Sequence, residues 1–234
     1  MSTANIVGGT SDGFLSKWGS TWAACLAASP IPSTAATSYD AVQRYGNGSN
    51  TYQLARAFLC FDLSPYAGAT ITAATLNVYI SSTLRPTFMA YYLDWATGGL
   101  TAADWATGTA ASASVTPPAA GAMTAITLTN LSSLLPANGG LFLALDDETT
   151  GPGTSNYQAN VTFADSATNK PNLDITYSTG SQLTLATTAI TAITTTTATG
   201  GGTLRNPDAL AITDRGVCWN TGGAPTIADS HTSD

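Results

Sequence analysis

The sequence predicts an all-β chain: a strand sandwich or jelly roll followed by a second, smaller strand unit. Three observations predict it. Short segments alternate apolar and polar residues with the period of a pleated strand. Only 9% of the 234 residues are charged, against about a quarter in a typical soluble domain, and Thr, Ala, Ser and Gly, a sheet-and-turn vocabulary, fill the difference. Helical periodicity is scarce.

The clearest strand is ARAFLCFDLS, residues 55–64. Ala57, Leu59, Phe61 and Leu63 share one face, Phe58, Cys60 and Asp62 the other, and two largely apolar faces imply an inner strand. SPYAGAT supplies a turn through Pro65 and Gly68. ATLNVYISS then places Leu76, Val78 and Ile80 opposite Thr75, Asn77 and Tyr79, as in a half-buried strand. Further strands are read in TFMAYYLDW, AITLTNL, GLFLALDDE, NVTFADS and NLDITYS, each bounded by Gly, Pro, Asn or Ser. This regular spacing predicts the sandwich or jelly roll. Two helical turns are expected, LTAADW with a capping box from Thr101 to Asp104, and TNLSSLLP ending at Pro136.

After DITYS the composition shifts, and TGSQ at 179–182 reads as a linker. A second unit begins there with LTLATTAITAIT, TTTATGGGTL and ALAITDRGVCWN as three strands, Gly200 to Gly202 in one turn and NPD in the next. Three strands leave a sheet face and an edge uncovered. The expectation is a chain that continues beyond Asp234 or a neighbouring subunit that completes the sandwich.

Composition excludes several functions. The net charge is −7, from 14 acidic and 7 basic groups, the pI is about 4.3, and no basic cluster is present, which argues against nucleic acid. No apolar run approaches the roughly 18 residues needed to span a bilayer, so membrane insertion is not expected. The opening MSTANIVGGTSDGF lacks the basic and apolar regions of a signal peptide. Cys25, Cys60 and Cys218 lack zinc spacing and cannot all pair internally. They are read as free thiols, with a Cys25–Cys60 bridge as the alternative and Cys218 in the core.

Two longer patterns resemble known families. RAFLCFDLSPYAGATITAATLNVYI, preceded by SDGFLSKWGSTW and closed by FADSATNKPNLDITYS, resembles the DNRLRE-type domain, a jelly roll related to carbohydrate-binding modules. The resemblance runs over residues 10–178 and defines a first domain at 1–178; the family occurs in secreted bacterial surface proteins and phage virion proteins. Residues 189–234 resemble the first half of an immunoglobulin-like or fibronectin-type-III-like repeat of surface and phage proteins. A second, partial immunoglobulin-like sandwich is therefore expected at 183–234.

The expected function is non-enzymatic. His231, the sole histidine, lies in ADSHTSD without a nearby nucleophile, which disfavours a Ser-His-Asp or Cys-His centre. Asp146, Asp147 and Glu148 form the densest acidic cluster, of a type that glycosidases use in pairs, but they read as a solvated loop. No P-loop, dinucleotide-binding glycine pattern, zinc signature or EF-hand loop occurs. Sugar-binding modules stack exposed aromatic rings on pyranose faces. Trp18, Trp22, Trp95 and Trp105 are the aromatic candidates, with Tyr91 and Tyr92 nearby. The repeated DWATG would set Asp94 beside Trp95 and Asp104 beside Trp105 to orient hydroxyls; the competing reading buries these tryptophans at the sandwich ends. Arg56 is expected in a salt bridge or on loop carbonyls at the rim. No cofactor is expected; the resemblance to jelly rolls that carry structural calcium points only to Asp12 and Asp174, a pair too sparse to assign a metal. The expected protein is a structural or attachment component of an extracellular assembly, foremost a phage fibre, spike or decoration subunit. It would associate with itself or with other virion or surface subunits and touch host polysaccharide. The alternatives are a bacterial cell-surface or secreted location, and a carbohydrate-binding module of an adhesin or polysaccharide-degrading enzyme.

Overall fold

A computed structural model of the chain describes residues 1–34, 37–47, 51–84, 87–95, 99–116, 120–152, 156–179, 184–205 and 212–232. It is all-β, 49% strand and 7% helix. Its contacts divide it into Met1–Ser178 and Thr179–Asp234.

Among the described residues the first unit holds twelve strands: β1 Ser2–Val7, β2 Gly13–Gly19, β3 Ile31–Ser33, β4 Ser38–Gly46, β5 Tyr52–Leu59, β6 Ala69–Leu84, β7 Phe88–Tyr92, β8 Thr109–Ala110, β9 Ala122–Thr127, β10 Leu141–Leu145, β11 Tyr157–Thr162 and β12 Asn172–Thr179. One six-residue helix, α1, spans Trp22–Ala27 and is capped by Thr21, whose hydroxyl accepts from Ala24 N. The strands form one hydrogen-bonded path β1-β12-β6-β11-β4-β5-β10-β7-β8, with β9 added beside β6, β2 beside β5, and β3 beside β2.

The long strand β6 explains how a single path encloses a core. Leu76 to Ile80 pair with β9, and Ile80 to Leu84 pair with β11. Strand β6 therefore passes from one layer of the sandwich towards the other. Although β5 and β6 are not neighbours in the ladder, Ala57, Leu59 and Phe61 share one core with Leu76, Val78, Ile80, Leu173 and Ile175. The sheet must fold over on itself for these faces to meet, which is a sandwich.

The opposite face of β5 is also buried, as its sequence requires. Phe58 and Cys60 pack with Leu15, Trp95, Leu100, Phe142 and Ala144 in a second cluster. Trp95 meets Phe58 edge-on at 5.6 Å, and Phe142 stacks between Phe58 and Tyr91 at 5.4 and 4.9 Å. Both expected helical turns form, at Ala102–Asp104, with its capping box from Thr101, and at Leu131–Ser133. The turn after Phe61 carries a 3-10 helix at Ser64–Tyr66 and a left-handed Gly68.

The second unit differs from its sequence reading. It contains two separate ribbons, β13 Thr184–Thr191 with β14 Thr199–Arg205, and β15 Cys218–Trp219 with β16 Ser230–His231. Gly200 to Gly202 lie inside β14, not in a turn; the chain reverses earlier, between β13 and β14, where Ala192 takes a left-handed φ of 49°. ALAITDRGVCWN supplies a strand only at Cys218–Trp219 among its described residues, and the expected NPD turn and most of TGSQ lie outside them. Cys218 is half-buried in a two-stranded ribbon and, among the described residues, belongs to neither hydrophobic core cluster. Among the described residues, no helix is long and apolar enough to cross a membrane.

Candidate functional site

Arg56 organises the outer face of the β2, β5 and β10 layer. It points to the same side of β5 as Phe58, and alternation places Lys17 of β2 and Phe142 of β10 there too. Its guanidinium donates from Nε and Nη2 to the two carboxylate oxygens of Glu148, at 2.8 and 2.6 Å, and from Nη1 to Ala106 O at 2.9 Å. This fork geometry is the strong form of an ion pair, and both side chains are largely shielded, at 14% and 17% exposure. Both the expected salt bridge and the expected bond to a loop carbonyl form, on the outer face of the sheet within β5. Glu148 thus departs from the solvated loop expected of the acidic cluster.

Trp105 lies half-buried under two cations, with the Arg56 guanidinium carbon 4.4 Å and Lys17 Nζ 4.9 Å from its ring. Lys17 donates to Leu26 O, and burial, then the neighbouring Arg56 charge, lowers its pKa. The π system of the indole attracts both positive charges. The adjoining acidic loop is fastened from three sides. Arg44 donates to Asp147 O and Thr150 O and pairs with Asp147 Oδ2; Trp22 Nε1 donates to Thr149 O; and Asp146 accepts from Ser114 Oγ. Hydrogen bonds from Thr150 and Thr149 hold the Asp147 carboxyl well below the usual carboxylate range.

The five candidate sugar-binding residues separate. Trp95 is 3% exposed, with Phe58 against it, and Tyr92 is 3% exposed and donates its hydroxyl to Thr129 O. Burial raises the Tyr92 pKa. Neither ring offers a face to a ligand, because Tyr92 packs in the main core and Trp95 in the second cluster. Asp94 is exposed and accepts from Asn138 Nδ2, while Asp104 closes the capping box by accepting from Thr101 N and Oγ1. Trp105 alone of the five keeps an aromatic ring near the surface. Of the other aromatics, Trp18 is 42% exposed, and Trp22 meets Tyr52 edge-on at 6.4 Å.

All three cysteines are free. Cys25 and Cys60 are buried, burial raises both thiol pKa values, and they donate to Lys17 O and Gly9 O respectively. Cys218 and His231 face one another across the β15–β16 ladder, a juxtaposition that the twelve residues between them hide in the sequence. His231 Nδ1 donates to Asp229 O. Among the described residues, no three His, Cys, Asp or Glu side chains gather as a metal set. Asp12 binds Ala164 N, and Asp174 accepts from Asn5 and Asn77 in a ladder across β1, β12 and β6, so the two acids serve separate contacts.

Compared with models of known protein families and with curated proteins, the chain matches none.

Proposed function

We propose that this chain is a non-catalytic structural and attachment protein of an extracellular assembly, foremost a phage fibre, spike or decoration subunit that associates with copies of itself and contacts host glycans. The carrying observation is the surface of the second unit. Every residue of β13 is exposed, and Leu185, Ile190 and Ile193 stand 70%, 63% and 74% open. A lone two-stranded ribbon is at best marginally stable in water, and open edges with uncovered apolar side chains favour pairing with another chain. Supporting this, the charged groups of the first unit that are best placed for chemistry, Arg56, Glu148 and Asp147, are committed to scaffold contacts. The DNRLRE-type and immunoglobulin-like resemblances belong to the same proposal.

Sedimentation across a concentration series tests it. Oligomers that dissociate on L185D or I190D support the reading, and a monomer at every concentration overturns it. A second reading, a carbohydrate-binding module, is favoured by the exposed Trp18 and the half-buried Trp105. Polysaccharide pull-down that is lost in W18A or W105A, with the fold intact, would select it.

A further inference from the structure

The turn joining β1 to β2 is tied to three other segments. Gly8 N donates to Pro171 O ahead of β12, Gly9 N donates to Cys60 O at the end of β5, and the Asp12 carboxylate takes Ala164 N beyond β11 at 2.6 Å. Asp12 has no exposed surface, and while Oδ2 holds Ala164 N, its buried Oδ1 has no partner among the described residues. A charged carboxylate so placed leaves one oxygen desolvated and uncompensated, which is costly, whereas a neutral acid keeps the Ala164 bond at less expense.

We infer that Asp12 is a proton-operated latch, which holds the β1–β2 turn against Cys60, Ala164 and Pro171 when protonated and loosens it when ionised. The surroundings agree. Burial acts most strongly to keep the acid neutral and the Ala164 N–H opposes it; the Asp165 carboxylate disfavours ionisation and the Lys170 ammonium favours it, and together they lift the pKa to about 7. The remaining ionisable neighbour, the Cys60 thiol at the end of β5, is itself pushed up by burial and stays neutral. Among the described residues strand β1 is an edge that pairs with β12 alone, so a loosened turn leaves that one ladder to retain it.

The sign follows from linkage. An acid whose pKa is higher folded than unfolded stabilises the fold fully below its unfolded pKa, near 4. That contribution is lost as pH rises to about 7. Asp62, Asp147 and Asp229, whose pKa values are lowered, titrate below this window.

Urea unfolding of the full chain from pH 5 to pH 8, followed by near-ultraviolet circular dichroism, tests the latch beside D12N. The wild type is expected to lose between about tenfold and a hundredfold in its folding equilibrium constant, and D12N less than about twofold. The same slope in both proteins, or a flat wild-type profile, overturns the inference. Should D12N not fold, the carboxyl carbon resonance of Asp12 in the wild type decides. A midpoint near 7, with Gly8 and Ala164 amide exchange accelerating above it beyond base catalysis, supports the latch, and a midpoint below 5 refutes it.

Discussion

Strands β6 and β13 are written in nearly the same alphabet, ATITAATLNVYISSTL and TLATTAIT, yet they meet opposite fates. In β6, Leu76, Val78 and Ile80 are fully buried, while in β13 Leu185 is 70% and Ile190 63% exposed. Both have the alternation and the β-branched residues of a strand. The difference lies in the neighbours: among the described residues, β6 is flanked by β9, β11 and β12, and β13 by β14 alone. Alternation thus specifies a strand, but only a second layer turns its apolar face into stability. The first unit supplies that layer from its own sequence, and on the account proposed above the second takes it from another chain.

The largest expected effect breaks the better-packed member of the comparison. Phe58→Ala removes a ring held between Trp95 and Phe142 and should cost about 3–5 kcal/mol in urea unfolding. Next, Arg56→Ala strips Glu148 of both donors and should cost about 2–3 kcal/mol, the worth of hydrogen bonds to a shielded charge. Gly139→Ala is expected to cost about 2 kcal/mol, because its φ is 72° and a Cβ would run into the Phe61 carbonyl. The corresponding change in β14, Gly201→Ala, meets no atom within 4 Å; replacing glycine in a strand should leave stability unchanged or raise it by up to about 1 kcal/mol. Smallest of all, Leu185→Ala should stay within about 0.5 kcal/mol for the isolated chain and lower its tendency to associate. A cost near that of Phe58→Ala in the isolated chain would mean that β13 already has a core, and the contrast would fail.

Sequence carried the fold further than it carried the site. The two-faced burial of β5 and the one-faced burial of Leu76, Val78 and Ile80 follow from a period of two, and the Thr101–Asp104 capping box from spacing alone. Strands β1 to β4 and helix α1 were not legible: α1 is only six residues long, held by Thr21 and the burial of Cys25, and β1 acquires its state from pairing with β12 at the far end of the unit. Glycine misled in β14, because an open ribbon tolerates Gly200 to Gly202 where a turn was expected. That Arg56 makes a salt bridge could be read, but its partner Glu148 stands 92 residues away. The twin DWATG segments show the same limit. Identical neighbours gave Trp95 and Trp105 one expectation, yet one ring lies on Phe58 and the other under Arg56 and Lys17.

The claim that the second unit is completed by another copy is met most directly by hydrogen exchange of the β13 amides, Thr184–Thr191, across a range of protein concentrations. Protection that grows with concentration and disappears in I190D is the predicted result. Exchange at one rate throughout, in a chain that sediments as a monomer, would contradict it.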